Sequence, residues 1–265
     1  MAPPLTAGPV HRPFRIALVR FAFRVVVRLL LRVHIEGREH LASGAAIYCS
    51  NHLNWTDPLI MLAVLPGSPK FAMFGPKEAD MAKGARNRLI VWAGFGIPYR
   101  PAKTDMLETA RRVQRVIEDG WVIFIFGEGR IHRGERELLP LADGTAFFAL
   151  RGGVPIVPIA INGTSWLGFR RTIRVRIGAP IPAQGRATRE GISALTARTD
   201  EAIRSLVADF PDRTRPGPFG RWLTELFNDW PEGSRPAAGE GDAAGTDRVG
   251  PREGPGPEPA ELPAG

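Results

Sequence analysis

Six consecutive apolar residues, Trp121-Val122-Ile123-Phe124-Ile125-Phe126, stand between turn signals and run straight into a loop of glycines and charges, Gly127-Glu128-Gly129-Arg130-Ile131-His132-Arg133-Gly134. A strand that offers water no polar side has to be covered on both faces. That requirement excludes a half-solvated sheet and demands helices above and below. The rest of the chain supplies them. Strand patterns at Val33–Glu36, 45–49, Lys70–Phe74 and Val154–Ile161, with an alternating edge strand at Thr172–Ile177, are interleaved with helical patterns near 58–65, 84–93, 104–119, 144–151 and 188–209. The alternation predicts a single α/β domain with a mixed, largely parallel sheet flanked by helices, its site at the strand ends. Pro155 and Pro158 in the second long apolar run call for an edge position or a local break.

One strand end carries chemistry. Ala45-Ala46-Ile47-Tyr48-Cys49 exits into Ser50-Asn51-His52-Leu53-Asn54-Trp55-Thr56-Asp57-Pro58, and an apolar helix follows. On a continuous helix a spacing of five puts two side chains roughly 140° apart, so His52 and Asp57 meet only if the chain between them bends. Asn54 and Thr56 favour such a turn. Asp57 followed by proline also fits a helix N-cap. The two roles are compatible: one carboxylate oxygen caps the helix while the other takes a proton from His52, fixing its tautomer and leaving the far nitrogen as a base. Cys49, the single cysteine, reads either as a small core residue or as a nucleophile served by His52. It leaves no internal disulfide and no cysteine metal cluster.

From Phe14 to Val33 the chain is nearly all apolar residues and arginine, with Arg20, Arg24, Arg28 and Arg32 four apart. These fall within an arc of about 120°, with Phe21, Phe23, Val25, Val26, Leu29 and Leu30 largely outside it. The segment is expected to be a basic amphipathic helix at a membrane interface, its apolar face among acyl chains and its arginines on lipid phosphates. The packed alternative is a helix on the domain with a solvated arginine face. The formal charge of +8 points to an anionic partner. Residues 231–265 hold 15 glycines and prolines with seven acidic and three basic residues, a net −4, so the body carries +12. Such a tail cannot bury enough surface to fold. The resulting division is a flexible N-terminus at 1–13, the basic helix at 14–33, the α/β domain at 34–210, a docking or interface helix at 211–230 and a disordered tail at 231–265.

Asn51-His52-x4-Asp57, Gly94-x-Gly-Ile-Pro-Tyr-Arg100, Phe126-Gly-Glu128-Gly129 and Val154-Pro-Ile-Val-Pro158 resemble, in order and type, the four sequence blocks of the glycerolipid acyltransferases, specifically the 1-acyl-glycerol-3-phosphate O-acyltransferases. The resemblance covers roughly residues 31–180 and makes 34–210 the acyltransferase domain. It implies transfer of a fatty acyl group from an acyl thioester, acyl-CoA or acyl carrier protein, to the free hydroxyl of a lysophospholipid, giving phosphatidic acid. It implies no permanent cofactor, and it places the protein at the cytoplasmic face of the cell membrane as a peripheral or monotopic protein. His52 matches the general base and Asp57 its orienting partner. Arg100 matches a basic residue of the second block, and Glu128-Gly129 match the third block, which binds the acceptor's glycerol phosphate. Arg130 and Arg133 are further candidates for that phosphate.

The third block departs from its usual Pro-Glu-Gly-Thr-Arg-Ser: Gly127, Arg130, Ile131 and His132 stand in place of proline, threonine, arginine and serine. Downstream, Leu141-Ala142-Asp143-Gly144 replaces a Phe-Lys-x-Gly stretch. Rival readings are another lysolipid or alcohol acceptor, or a non-catalytic membrane lipid-binding protein. No zinc spacing or helix-turn-helix signature accompanies the charge, so neither a metal nor a nucleic-acid partner is expected.

Overall fold

A computed structural model describes residues 12–77, 84–99, 106–132, 134–211 and 217–225. Arg100, Arg133 and residues 231–265 lie outside these. Among the described residues seven strands form one sheet: β1 (Leu31–Glu36), β2 (Ala46–Ser50), β3 (Phe71–Lys77), β4 (Gly96–Tyr99), β5 (Val122–Phe126), β6 (Ile156–Asn162) and β7 (Arg171–Ile177). Their spatial order is β1-β7-β6-β2-β5-β3-β4. Every pairing is parallel except β6 with β7. The expected mixed, mostly parallel sheet is present.

Seven α-helices among the described residues accompany it: α1 (Pro13–Leu30), α2 (Asp57–Val64), α3 (Gly84–Ala93), α4 (Met106–Glu118), α5 (Gly144–Gly152), α6 (Arg189–Val207) and α7 (Pro218–Glu225). The apolar run Trp121–Phe126 supplies β5, near the middle of the sheet. Its side chains alternate between two cores. Ile123 and Ile125 join Val113, Phe148 and Ile203 from α4, α5 and α6, whereas Val122 and Phe124 join Val27, Leu62 and Ala93 from α1, α2 and α3. Each such side chain, fully buried, is worth about 1.5–3 kcal/mol. Both faces are therefore covered, as a strand without polar residues requires.

Thr172–Ile177 is not an edge. β7 pairs with β6 on one side and with β1 on the other, so β1 takes the outer place. Alternation marks one half-buried face but cannot say whether a neighbouring strand completes the ladder. Pro158 is accommodated by a local break, because β7 begins to pair with β6 only at Ile159.

In α1 the arginines do not point the expected way. Arg20 is buried and donates from Nη1 to Leu65 O at 3.0 Å, and Arg24 Nε donates to Ala63 O at 2.9 Å. Both satisfy carbonyls at the C-terminus of α2, where cations are favoured. Burial, and then the nearby Arg24, lowers the pKa of Arg20. Arg32 is not on the helix at all, since α1 ends at Leu30 and Leu31 opens β1. The exposed side of α1 carries Phe14, Leu18, Phe21, Val25 and Leu29. No helix among the described residues is long and apolar enough to cross a membrane.

Candidate active site

β2 and β5 are parallel neighbours, with Ser50 opposite Phe126, so the turn after β2 and the loop after β5 leave the sheet side by side. The first of these carries His52 and Asp57. The chain bends as their spacing requires, and His52 Nδ1 lies 2.9 Å from Asp57 Oδ2. That same oxygen accepts the backbone N–H groups of Leu53 at 2.7 Å and Asn54 at 2.8 Å. Asp57 thus gathers the turn rather than capping its own helix: Thr56 is the N-cap residue, and it makes no side-chain cap bond. Asp57 Oδ1 is buried with no hydrogen-bond partner among the described residues. A carboxylate at Nδ1 places the neutral ring's proton there and leaves the Nε2 lone pair free. The ring is stacked on Phe126, with centroids 4.0 Å apart. Asn51 fixes the start of the turn by exchanging two hydrogen bonds with Ile161 of β6.

His52 opens onto a cavity of about 330 Å³. Met73, Phe74, Ile90, Ile125, Phe126 and Phe148 give it apolar walls, with Tyr99, and the small residues Gly127, Gly129, Ala142 and Gly144 border it. Among the described residues that line it, none is lysine or arginine. Ala142, at the place of the lysine in the stretch resembled, contributes a methyl group to this border.

The third-block loop is tied to the His52 turn. Glu128 is buried, and both of its oxygens are engaged within the protein: Oε2 accepts His52 N–H at 2.7 Å, and Oε1 accepts Leu139 N–H at 2.8 Å. The amides of Gly127 and Gly129 are also spent, on Ser50 O and Phe126 O. Gly129 has φ +67° and lines the cavity. At Gly127 a Cβ would lie 2.7 Å from Cys49 Sγ and 2.9 Å from Leu141 Cδ2. That contact explains a glycine where the resembled block has proline. Arg130 is exposed, while Ile131 is buried. Cys49 is fully buried, and burial pushes its thiol up to about 12. A thiol of that kind is not a nucleophile near neutrality.

Sequence reasoning missed Glu135, which is buried four positions beyond Ile131. Its carboxylate accepts the N–H groups of Gly163 at 2.7 Å and Ser165 at 3.1 Å and the Asn162 amide at 3.0 Å, with the Ser165 hydroxyl in close contact. It anchors the far end of the loop to the β6–β7 connection. Its position in the charged run Gly134-Glu135-Arg136-Glu137 hid it. Glu135→Ala strands these donors, and about 3 kcal/mol of stability should be lost in urea unfolding. Burial raises the pKa of Glu135 against the pull of its donors. A carboxyl that holds its proton more tightly folded than unfolded favours the fold below its unfolded pKa, and loses that contribution as pH rises through the folded value. Relative to Glu135→Gln, the wild type should therefore lose stability as pH rises from the acid range.

A sequence model of the acyltransferase family matches residues 32–162, the span that contains both loops and the strands between them. Residues 32–162 belong to the acyltransferase family. The 1-acyl-sn-glycerol-3-phosphate acyltransferase of Cocos nucifera is 29% identical over 150 residues, 56% of this chain and 47% of that protein. The protein of the same name from Haemophilus influenzae is 26% identical over 188 residues, 65% of this chain and 72% of that one. The chain thus spans about half the length of the plant relative. The crystal structure of the 1-acyl-sn-glycerophosphate acyltransferase PlsC from Thermotoga maritima shares the fold, with a TM-score of 0.58 at 19% identity over 72% of this chain and 78% of that one. The matched span holds His52, Asp57 and Glu128 in one hydrogen-bonded unit beside an apolar cavity.

Proposed function

We propose that the protein transfers a fatty acyl group from acyl-CoA or acyl carrier protein to the free hydroxyl of 1-acyl-glycerol-3-phosphate, giving phosphatidic acid, without a permanent cofactor. The observation that carries this reading is His52, held at Nδ1 by Asp57 and lining a cavity whose apolar walls suit an acyl chain. The acceptor hydroxyl gives its proton to Nε2 as its oxygen bonds to the thioester carbon. The tetrahedral intermediate then collapses, the carbon–sulfur bond breaks, and the leaving thiolate takes the proton from Nε2. Asp57 keeps the ring in the productive tautomer and stabilises the imidazolium between the two steps. Arg130, Arg100 and Arg133 are the candidates for the acceptor's phosphate, with Gly129 at the cavity border. Glu128 serves by fixing His52.

The test is purified protein with a long-chain acyl thioester and a panel of acceptors, read as ester product. Lysophosphatidate should be acylated in preference to phosphate-free alcohols. Product formed only with phosphate-free acceptors would redirect the reading to another alcohol, and no product with any acceptor rejects it. Direct transfer also predicts that Cys49→Ala keeps its turnover in this assay, because the thiol is buried and protonated.

A lipid acceptor requires access to a membrane surface, and α1 offers a docking face. Phe14, Leu18, Phe21, Val25 and Leu29 follow one another at helical spacing and are all exposed, Phe21 by 67% and Leu29 by 63%. The helix bears Arg15 and Arg28 and no acidic residue. This arrangement supports peripheral binding to an anionic cytoplasmic membrane face through side chains and not through the buried Arg20. Phe21→Asp combined with Leu29→Asp should lower co-sedimentation with anionic vesicles by about tenfold or more, since each side chain contributes over 1 kcal/mol when buried in lipid. The melting temperature should hardly change, because both residues face outward.

A further inference from the structure

We infer that His132 is a positioning residue for His52, acting through Glu128. The backbone of His132 donates to His52 O at 3.0 Å, so the two histidines are already joined across the loops. Gly134 N–H donates to His132 Nδ1 at 3.1 Å. An imidazole nitrogen that accepts a hydrogen bond carries no proton, so the neutral ring keeps its proton on Nε2. That Nε2 lies 2.8 Å from Glu128 Oε1. The ring N–H does not aim along this line, so the contact is charge–dipole attraction and not an aligned hydrogen bond. Glu128, whose side chain is wholly buried, uses its other oxygen to hold His52 N–H at 2.7 Å.

The backbone of His52 is thereby held at both ends by one loop, its N–H by Glu128 and its carbonyl by His132. Asp57 and Phe126 hold only the ring. Removing the imidazole leaves a buried carboxylate with one favourable dipole fewer beside it, which weakens its grip on His52 N–H. A ring displaced with its backbone misses the hydroxyl it serves, and losses from such displacements fall on turnover more than on binding.

This assignment rests on the acyl-transfer reading, but its primary test does not. Hydrogen exchange of the His52 amide is followed by NMR in the wild type, His132→Phe and His132→Gln. Phenylalanine fills the space without a donor, and glutamine restores an N–H. The phenylalanine variant should show His52 exchange faster by on the order of tenfold, with the core amide of Ile47 unchanged, and the glutamine variant should recover protection. Equal acceleration at Ile47 and His52, or unchanged protection of His52, overturns the inference. In the acyl-transfer assay the phenylalanine variant should lose kcat by on the order of tenfold with KM for the thioester nearly unchanged, and the glutamine variant should regain most of that loss. A glutamine variant as impaired as the phenylalanine variant also overturns it. A wild type without turnover rejects the acyl-transfer reading and leaves the exchange test to decide the positioning role.

Discussion

His52→Ala is expected to lower kcat by roughly 10²–10⁴-fold while the folded structure persists. The magnitude follows from what the ring does. An alcohol is a weak nucleophile near neutrality, and in the proposed reaction Nε2 is the group that takes its proton as the carbon–oxygen bond forms. The fold should tolerate the loss because the backbone of His52, not its ring, carries the bonds to Glu128 and His132. What disappears in stability is the stacking on Phe126 and one contact with Asp57, together about 1 kcal/mol. Turnover under an acceptor-saturated assay, alongside a urea melt, checks both halves. A variant with normal kcat would show that the ring is a structural histidine.

Asp57→Asn is expected to cost turnover on a similar scale, roughly 10²–10⁴-fold, but with a loss of stability as well. Asp57 Oδ2 collects three N–H groups, from the His52 ring, Leu53 and Asn54. An amide in the same place has one carbonyl oxygen without the full charge, and its NH₂ can face Nδ1 and draw the proton to Nε2. The base then sits in the wrong tautomer. Weaker pairing of the two backbone donors should cost about 1–3 kcal/mol, since Asp57 is fully buried. Chemical denaturation separates this contribution from the catalytic one. An Asp57→Asn variant that unfolds earlier but turns over normally would leave Asp57 as the clasp of the turn and nothing more.

The parts of this molecule readable from the chain are those whose determinants are close in sequence. β5 announces itself because both of its faces are apolar. His52 and Asp57 are five residues apart, so the geometry that joins them needs only a turn. The parts that were not readable depend on partners far away. Periodicity assigns the arginines and the apolar residues of α1 to different sides, yet a helical wheel does not say which side meets the protein. The carbonyls that draw Arg20 and Arg24 inward are 45 and 39 residues distant. Glu135 is anonymous among neighbouring charges until the β6–β7 connection brings donors to it from about 30 residues away. The resemblance of Glu128-Gly129 to the third block implies a substrate ligand. Its two oxygens are instead committed to His52 and Leu139, which moves its expected contribution from binding the acceptor to holding the base.

Direct transfer by His52 requires that thiol release depend on the acceptor. The measurement is free thiol released from a long-chain acyl thioester by the purified protein, with and without lysophosphatidate, together with the intact mass of the protein. Thiol should appear only when the acceptor is present, in step with phosphatidic acid, with no acyl group gained by the protein and no release by His52→Ala. Release without acceptor, accompanied by an acylated protein, or release undiminished in His52→Ala, would contradict the mechanism at its centre.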